Sequence, residues 1–227
     1  MKKKISPLAL RQVAAVAAGR IVVGSGRIGI NSICSGLLVP EIATLGMVKS
    51  RGWSAAAIRL GTRSEWNHCG IYIGNVSGFG HAFLEAAGSG AVITHLESLY
   101  KSAISGDIEM SWAVKDPAFV PDGDFGSRWR SETRIRAAVA TDALALLGTP
   151  YGWAGIFAIG ALQFGISTRG IRRCVARRDE LFCSQLYDAA ALAGGVHLFE
   201  DERTPGSVSP GDLARRKGVV LKDVRSF

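Results

Sequence analysis

The 227-residue chain has little cysteine, few histidines and no apolar run long enough to cross a membrane. None of its four cysteines stands in a CxxC pair, which argues against a zinc knuckle and against a disulfide-built scaffold. A spanning helix needs about 20 predominantly apolar residues. The longest apolar stretch, Trp153 to Ile166, is shorter and contains Gln163. We therefore expect no transmembrane segment, and a buried helix or hairpin at 153–166.

Signals for cofactors, metals and export are also weak. Gly24 and Gly26 are followed by neither a GK[ST] sequence nor Rossmann spacing. The four histidines are scattered, and the acidic residues show no ligand spacing, so we expect no cofactor and no metal. The basic start MKKKISPLALRQ resembles a signal peptide, but arginines at 11 and 20 interrupt the apolar run. This favours a cytoplasmic protein over an exported one.

The composition predicts a globular protein with a sizeable core. Apolar residues make up 48% of the chain, and the net charge is +8. Such a charge permits contact with nucleic acid, an anionic membrane or an acidic polymer without selecting one, and no motif points to nucleic acid. A predicted basic loop surrounds Cys174; it would meet an anionic substrate or membrane surface, or simply remain solvated, through Arg169, Arg172, Arg173, Arg177 and Arg178.

Patterns of β-formers, helical spacing and breakers predict an α+β chain. An antiparallel meander is expected at 68–74, 80–86 and 91–95, with further strands at 109–114 and 219–221. Helices are expected at 54–61, 96–105, 131–147 and 181–193, and a short one after Ser209 with Pro210 at its first position. Residues 116–130 are expected to form a loop. Residues 1–55 are interpreted as a scaffold segment of the same domain, with a strand, turn and strand at 20–30.

Cys183 is the candidate nucleophile, because it falls in the first turn of a predicted helix. Unpaired N–H groups and the helix dipole favour an anion there, which lowers the pKa of a thiol. The same N–H groups can donate to a developing oxyanion. The alternative is that Cys183 is a small buried side chain, the usual place of a free cysteine.

His68 is the candidate general base, and it opens the clearest predicted strand. Side chains of one parity share a strand face, so Cys69 is expected to point away from His68 and to be a poor nucleophile for it. Glu85, on the next strand, can approach His68 laterally and orient its imidazole. His81 is the competing residue for that third role.

These residues lie in segments that resemble a known family. NHCGIYIGN followed by FLEAAGSGAVITHL resembles the His-bearing hairpin of the NlpC-type cysteine peptidases. LGTPYGWAG followed by FCSQLYDAA resembles their G-x-PY-x-WGG segment and nucleophile helix. The His half comes first here, an order similar to the circularly permuted, YiiX-like and YaeF-like branch. The resemblance covers about residues 60–100 and 144–213.

The resemblance implies a permuted papain-like fold, in which an antiparallel sheet or half-barrel packs against the nucleophile-bearing helix. It assigns Cys183 as nucleophile, His68 as base, Glu85 as orienting residue and Tyr151 as a residue near the oxyanion. Residues 56–227 would form the hydrolase domain. Implied substrates are peptides, cell-wall peptides or lipid esters. Two alternatives stay open: a lipid-acting acyltransferase of the lecithin:retinol acyltransferase type, and a non-catalytic binding or structural module.

Overall fold

The computed structural model describes residues 39–76, 79–119, 125–175, 179–201 and 203–226. Within these ranges the chain forms a six-stranded antiparallel sheet and seven α-helices. The strand, turn and strand predicted at 20–30 lie outside the described residues. No helix in the described ranges has both the length and the apolar character that a membrane crossing requires.

The sheet has the strand order β4-β3-β2-β1-β5-β6. Its strands are β1 (Leu45–Ser50), β2 (His68–Val76), β3 (Gly80–Ala87), β4 (Gly90–His95), β5 (Ile108–Lys115) and β6 (Val220–Asp223). The meander β2-β3-β4 is confirmed, because each of these strands pairs antiparallel with the next. Strand β1 was not predicted from the sequence, and it lies between β2 and β5.

The helices are α1 (Trp53–Thr62), α2 (Leu96–Ile104), α3 (Phe125–Ala145), α4 (Trp153–Gln163), α5 (Arg169–Val175), α6 (Cys183–Ala193) and α7 (Pro210–Arg215). The capping residue predicted for α7 is confirmed. Ser209 accepts a hydrogen bond from the Asp212 amide, and the Asp212 carboxylate accepts one from the Ser209 amide. This reciprocal pair satisfies two N–H groups at the helix start.

Three sequence predictions about local structure are wrong. A loop was expected at 116–130, but α3 begins at Phe125. Most of the prolines and glycines of that segment come before this residue, so they do not prevent the helix. The basic loop expected at 169–178 is helical from Arg169 to Val175. The stretch 153–166 is helical to Gln163, but it is not buried throughout, because Phe157 is 66% exposed.

The two faces of the sheet pack against different elements. Alternate residues of β2 and β3, including Cys69, Ile71 and Leu84, share a core with α3 and α6. The residues between them, such as Tyr72 and Phe83, belong to a second cluster that α2 covers. Helix α6 therefore packs against β2, and its first residue, Cys183, contacts Cys69 of that strand.

Gly70, the residue of β2 that pairs with Glu85, lies under the ring of Phe83. A Cβ atom at Gly70 would stand 2.5 Å from Phe83 Cε1 and 2.6 Å from the Leu84 carbonyl oxygen. The Phe83 ring from β3 fills the space that the absent side chain of Gly70 leaves.

We expect Gly70→Ala to destabilise the protein by about 1–3 kcal/mol, the usual cost of overpacking, measured by urea unfolding. Gly88→Ala is the matched control, since its Cβ would meet only the Trp153 ring, at 3.5 Å. Equal stability of the two variants would contradict this account of Gly70.

Candidate active site

Cys183 is the first residue of α6, and it is fully buried. Phe182 precedes the helix in an extended conformation, and no side chain caps the first turn. The next residue fixes the helix in place, because the buried Ser184 hydroxyl donates to the Val208 carbonyl at 2.7 Å. The Cys183 thiol and the amide groups of the first turn of α6 are therefore held in a fixed position relative to Val208.

Tyr151 is held beside this helix start by a short parallel bridge to Leu181. The Leu181 amide donates to the Pro150 carbonyl, and the Gly152 amide donates to the Leu181 carbonyl, both at 2.9 Å. Burial raises the pKa of the Tyr151 phenol, and the negative charge of Cys183 raises it further. Tyr151 therefore stays neutral, with its hydroxyl proton in place, near the Cys183 sulfur.

His68, Glu85 and Thr94 form a hydrogen-bonded row across three strands. His68 Nε2 lies 2.6 Å from Glu85 Oε2, and the Thr94 hydroxyl donates to Glu85 Oε1 at 2.5 Å. The strand register explains the row, because Glu85 pairs with Gly70 and Thr94 pairs with Phe83, which makes the three side chains diagonal neighbours on one face.

The imidazole also makes a hydrogen bond with the Cys183 sulfur. Because Nε2 faces Glu85, the nitrogen left for the thiol is Nδ1. Burial by itself would lower the pKa of His68, but the hydrogen bonds and charges of Cys183 and Glu85 outweigh it and raise this pKa to about 10. For the Glu85 carboxyl, burial acts in the opposite direction and would raise the pKa. The hydrogen bond and the positive charge of His68 outweigh burial and hold this pKa below its usual value.

The Cys183 thiol itself has a pKa held well below its usual value. The largest cause is a hydrogen bond from the Cys69 thiol; burial opposes it, and His68 and the Cys69 backbone amide add further stabilisation of the thiolate. Three donors, one of them cationic, therefore surround one sulfur. Such an arrangement favours a Cys183 thiolate paired with a protonated His68 at neutral pH.

Cys69 also belongs to this group, and its contact with Cys183 was not predicted from the sequence. Cys69 does leave β2 on the helix-facing side, opposite to Gly70, but that side is where Cys183 packs. His68, the first residue of the strand, also makes a hydrogen bond with the Cys183 sulfur. Burial and the negative charge of Cys183 raise the pKa of Cys69, so Cys69 acts as a donor and Cys183 as the anion.

The remaining predicted residues lie elsewhere. His81 Nδ1 contacts the Tyr72 hydroxyl at 2.5 Å rather than His68. Arg169, Arg172 and Arg173 lie on α5 and are exposed, whereas Arg177 and Arg178 lie outside the described residues. In the part of the chain that the structure describes, no three His, Cys, Asp or Glu side chains are grouped as a metal site would require.

Two contributors to the site were not predicted from the sequence. Thr94 was not singled out, although its register position on β4 follows from the meander. Asn67 fixes the start of β2: its side-chain oxygen accepts from the Ser50 amide at 2.8 Å, and its amide group donates to the Ser50 hydroxyl at 2.9 Å. The available signal in the sequence was a polar residue directly before His68.

A cleft of about 820 Å³ lies at another place in the molecule, between the segment 197–203 and α7. Its lining includes none of Cys183, His68, Glu85 or Tyr151. Charges of both signs meet around it, and burial raises the pKa of nearby Asp188 to about 6 against the opposing effect of Arg216 and Arg203. The cysteine site and this cleft are therefore separate features.

Comparisons with known proteins show the fold. No family model and no curated protein matches the sequence. Among solved structures, metalloprotein YiiX from Escherichia coli O157:H7 matches with a TM-score of 0.50 and 17% identity, over 81% of this chain and 96% of that chain. At this identity the likeness extends to the α+β architecture alone, and it is consistent with the resemblance to the YiiX-like branch.

Replacing Cys69 with alanine tests the arrangement around the sulfur. We expect the variant to raise the pKa of Cys183 and to slow its alkylation at pH 6 by roughly tenfold, because a hydrogen bond to an anion is lost. The measurement is the rate of bromobimane labelling, with the labelled residue identified by peptide mass. Cys174→Ala, which removes another free cysteine, should leave the rate unchanged. An unaltered rate in Cys69→Ala would show that Cys69 does not stabilise the thiolate.

Proposed function

We propose that the protein is a cysteine hydrolase in which Cys183 is the nucleophile, His68 the general base and acid, and Glu85 the orienting carboxylate. The observation that carries this proposal is the chain of contacts from Cys183 through His68 to Glu85. A nucleophile, a base within hydrogen-bond reach and a third group that orients the base are the parts that covalent catalysis needs.

The reaction follows from these positions. The Cys183 thiolate attacks the carbonyl carbon of an amide, and the first-turn amide of Cys183, with the Tyr151 hydroxyl, donates to the oxyanion. Protonated His68 gives its proton to the leaving amine as the C–N bond breaks, which leaves an acyl-enzyme. Neutral His68 then takes a proton from water, the hydroxide adds to the thioester, and the acid leaves with the thiolate restored.

The proposed fold assignment is a permuted papain-like domain at residues 56–227, with residues 1–55 in the same domain. The position of β1 in the middle of the sheet supports joining the two. YiiX is described as a metalloprotein, but the described residues of this chain hold no grouped ligand set, and no step of the proposed reaction uses a metal. The proposed substrate is a peptide or a cell-wall peptide.

A lipid-acting acyltransferase or esterase is the second candidate. The observation that favours it is the exposed apolar side of α4, where Trp153 contacts the Tyr151 ring with centroids 4.8 Å apart and Phe157 is 66% exposed. An apolar surface that begins beside the candidate site suits an acyl chain. The same Cys183 acyl-enzyme would then form from an ester.

A substrate panel with mass detection of the acyl-enzyme tests both candidates. Peptides with the linkages of cell-wall stems and phospholipid esters are incubated with the wild type, Cys183→Ala and the control Cys174→Ala. The proposal predicts an adduct on Cys183 and turnover with an amide; turnover of esters alone would select the second candidate. No adduct with any substrate, together with ordinary thiol reactivity of Cys183, would favour a non-catalytic module.

A further inference from the structure

Helix α4 is apolar on all its sides, yet only part of it is covered. Its sequence WAGIFAIGALQ contains no charged residue. Ile156, Ala158 and Ile159 are buried in the core, whereas Trp153 and Phe157 stand in solvent, the latter 66% exposed. Surface helices of a globular protein usually carry polar residues on the side away from the core. The exposed side of α4 is thus unlike that of an ordinary surface helix.

Neighbouring segments extend this apolar surface. Helix α1 packs on α4 at two glycines, where a Cβ on Gly61 would stand 3.5 Å from Gly160 Cα. Trp53 is 85% exposed and Leu60, seven residues on and so on the same side of α1, is 72% exposed. Past the end of α4, Phe164 and Ile166 are each 54% exposed. These residues, with Trp153 and Phe157, form a surface that we name the apolar face.

The two segments that form the apolar face carry only positive charges. Residues 51–63 and 153–175 contain no aspartate or glutamate. Helix α5 packs against α4 and carries Arg169, Arg172 and Arg173, all exposed. The Arg63 guanidinium lies over the Phe164 ring, 5.2 Å from its centroid. Arginines therefore border the exposed aromatic side chains, while the carboxylates of the adjoining segments include Glu65 and Glu180, the latter beside Gly152.

We propose that the apolar face docks on an anionic phospholipid membrane, with the aromatic side chains at the headgroup boundary and the arginines against lipid phosphates. Exposed aromatic and aliphatic side chains next to a polar surface rich in arginine are the pattern of an element that lies in the membrane interface. The absence of carboxylates from both segments matches the negative charge of such a surface. The inference goes beyond the proposed function, and it holds whether or not Cys183 is a nucleophile.

Cosedimentation with vesicles tests the inference on the full chain. We expect binding to vesicles of equal parts phosphatidylcholine and phosphatidylglycerol, much weaker binding to phosphatidylcholine alone, and loss of binding as salt is raised. Arg169→Gln, Arg172→Gln and Arg173→Gln combined should weaken binding by about 100-fold, since each arginine near the surface contributes about fivefold. Phe157→Ser should weaken it by about tenfold, because a buried aromatic ring is lost.

Matched variants separate the face from general effects of charge and hydrophobicity. Lys101→Gln, Lys217→Gln and Arg225→Gln combined remove the same charge from other exposed positions, and Ile104→Ser removes an apolar side chain that is 62% exposed on α2. These variants should bind vesicles nearly as the wild type does. Equal binding by the face variants and their matched variants would overturn the proposal.

Oligomeric state and Cys183 labelling separate membrane docking from dimerisation and from catalysis. A wild-type dimer that Phe157→Ser converts to a monomer, with vesicle binding unchanged, would assign the face to a second copy of the chain and overturn the membrane proposal. Cys183 labelling in the same variants reports separately on the active site. Vesicle binding that depends on the face, in a protein whose Cys183 is unreactive, would leave this inference standing while the hydrolase proposal failed.

Discussion

Replacing His68 with alanine is expected to slow alkylation of Cys183 at pH 7 by about 100-fold, the lower end of the contribution of a positioned base. The reason is electrostatic: His68 carries the positive charge that holds the Cys183 proton off, and its own pKa is raised to about 10 by Cys183 and Glu85. Without that cation and its hydrogen bond, only the Cys69 donors oppose the effect of burial, and the pKa of the thiol rises. Rates of iodoacetamide labelling at Cys183 give the measurement.

His81→Ala is the matched control, because His81 contacts Tyr72 and lies outside the row. It should label at the wild-type rate. A His68→Ala variant that labels as fast as the wild type, with circular dichroism unchanged, would show that the imidazole does not activate the thiol.

The same contacts set the expected pH dependence of turnover. The thiolate and the protonated imidazole coexist above the lowered pKa of Cys183 and below the His68 pKa of about 10. Turnover should therefore decline as the pH rises through about 10. In Glu85→Gln the carboxylate that supports the His68 cation is gone, so the decline should begin at a lower pH.

Replacing Asp116 with alanine is expected to destabilise the protein by about 3–5 kcal/mol, because it leaves a buried guanidinium without its partner. Asp116 and Arg216 form an ion pair whose side chains are 3% and 7% exposed. The Asp116 carboxylate also accepts from the Ala118 amide at 3.1 Å. Among the described residues, the Arg216 nitrogens have no hydrogen-bond partner to replace it. The melting temperature should fall by roughly 10 °C.

Two companion variants make this test specific. Glu109→Ala breaks the exposed pair with Lys49, whose side chains are 50% and 32% exposed, and it should cost less than about 1 kcal/mol. Asp116→Leu with Arg216→Met removes both charges and should recover most of the lost stability, since a buried ion pair can be replaced by apolar groups. Similar unfolding of Asp116→Ala and Glu109→Ala would contradict the account of the buried pair.

Local patterns predicted the elements that carry their own signals. The alternation at 68–95 and the glycines between its strands indicated the meander, and the helix start at Cys183 was placed within two residues. Strand β1 carried no such signal, because LGMVKS is short and does not alternate regularly between apolar and polar residues. It forms a strand because it pairs with β2 and β5, which are distant in the chain. Long-range pairing of this kind is not encoded in a local window.

The structure brings together candidate residues that were singled out from the sequence, but the residues around them were not predicted. Glu85 and His68 follow from lateral pairing of adjacent strands, which parity and turn length constrain. The contact of Cys69 with Cys183 depends on where α6 crosses the start of β2, which is a matter of tertiary packing. Strand parity correctly gave the face of β2 from which the Cys69 side chain projects, but it could not show that Cys183 packs on that face.

The central claim is that Cys183 is a thiolate at neutral pH, and its absorbance tests this most directly. The difference in absorbance at the thiolate band near 240 nm between the wild type and Cys183→Ser is followed from acidic to alkaline pH. We predict that the difference of one thiolate is already present at neutral pH, because the pKa of Cys183 lies well below that of an ordinary thiol. A difference that develops only near pH 8.5, where a free cysteine titrates, would contradict the account.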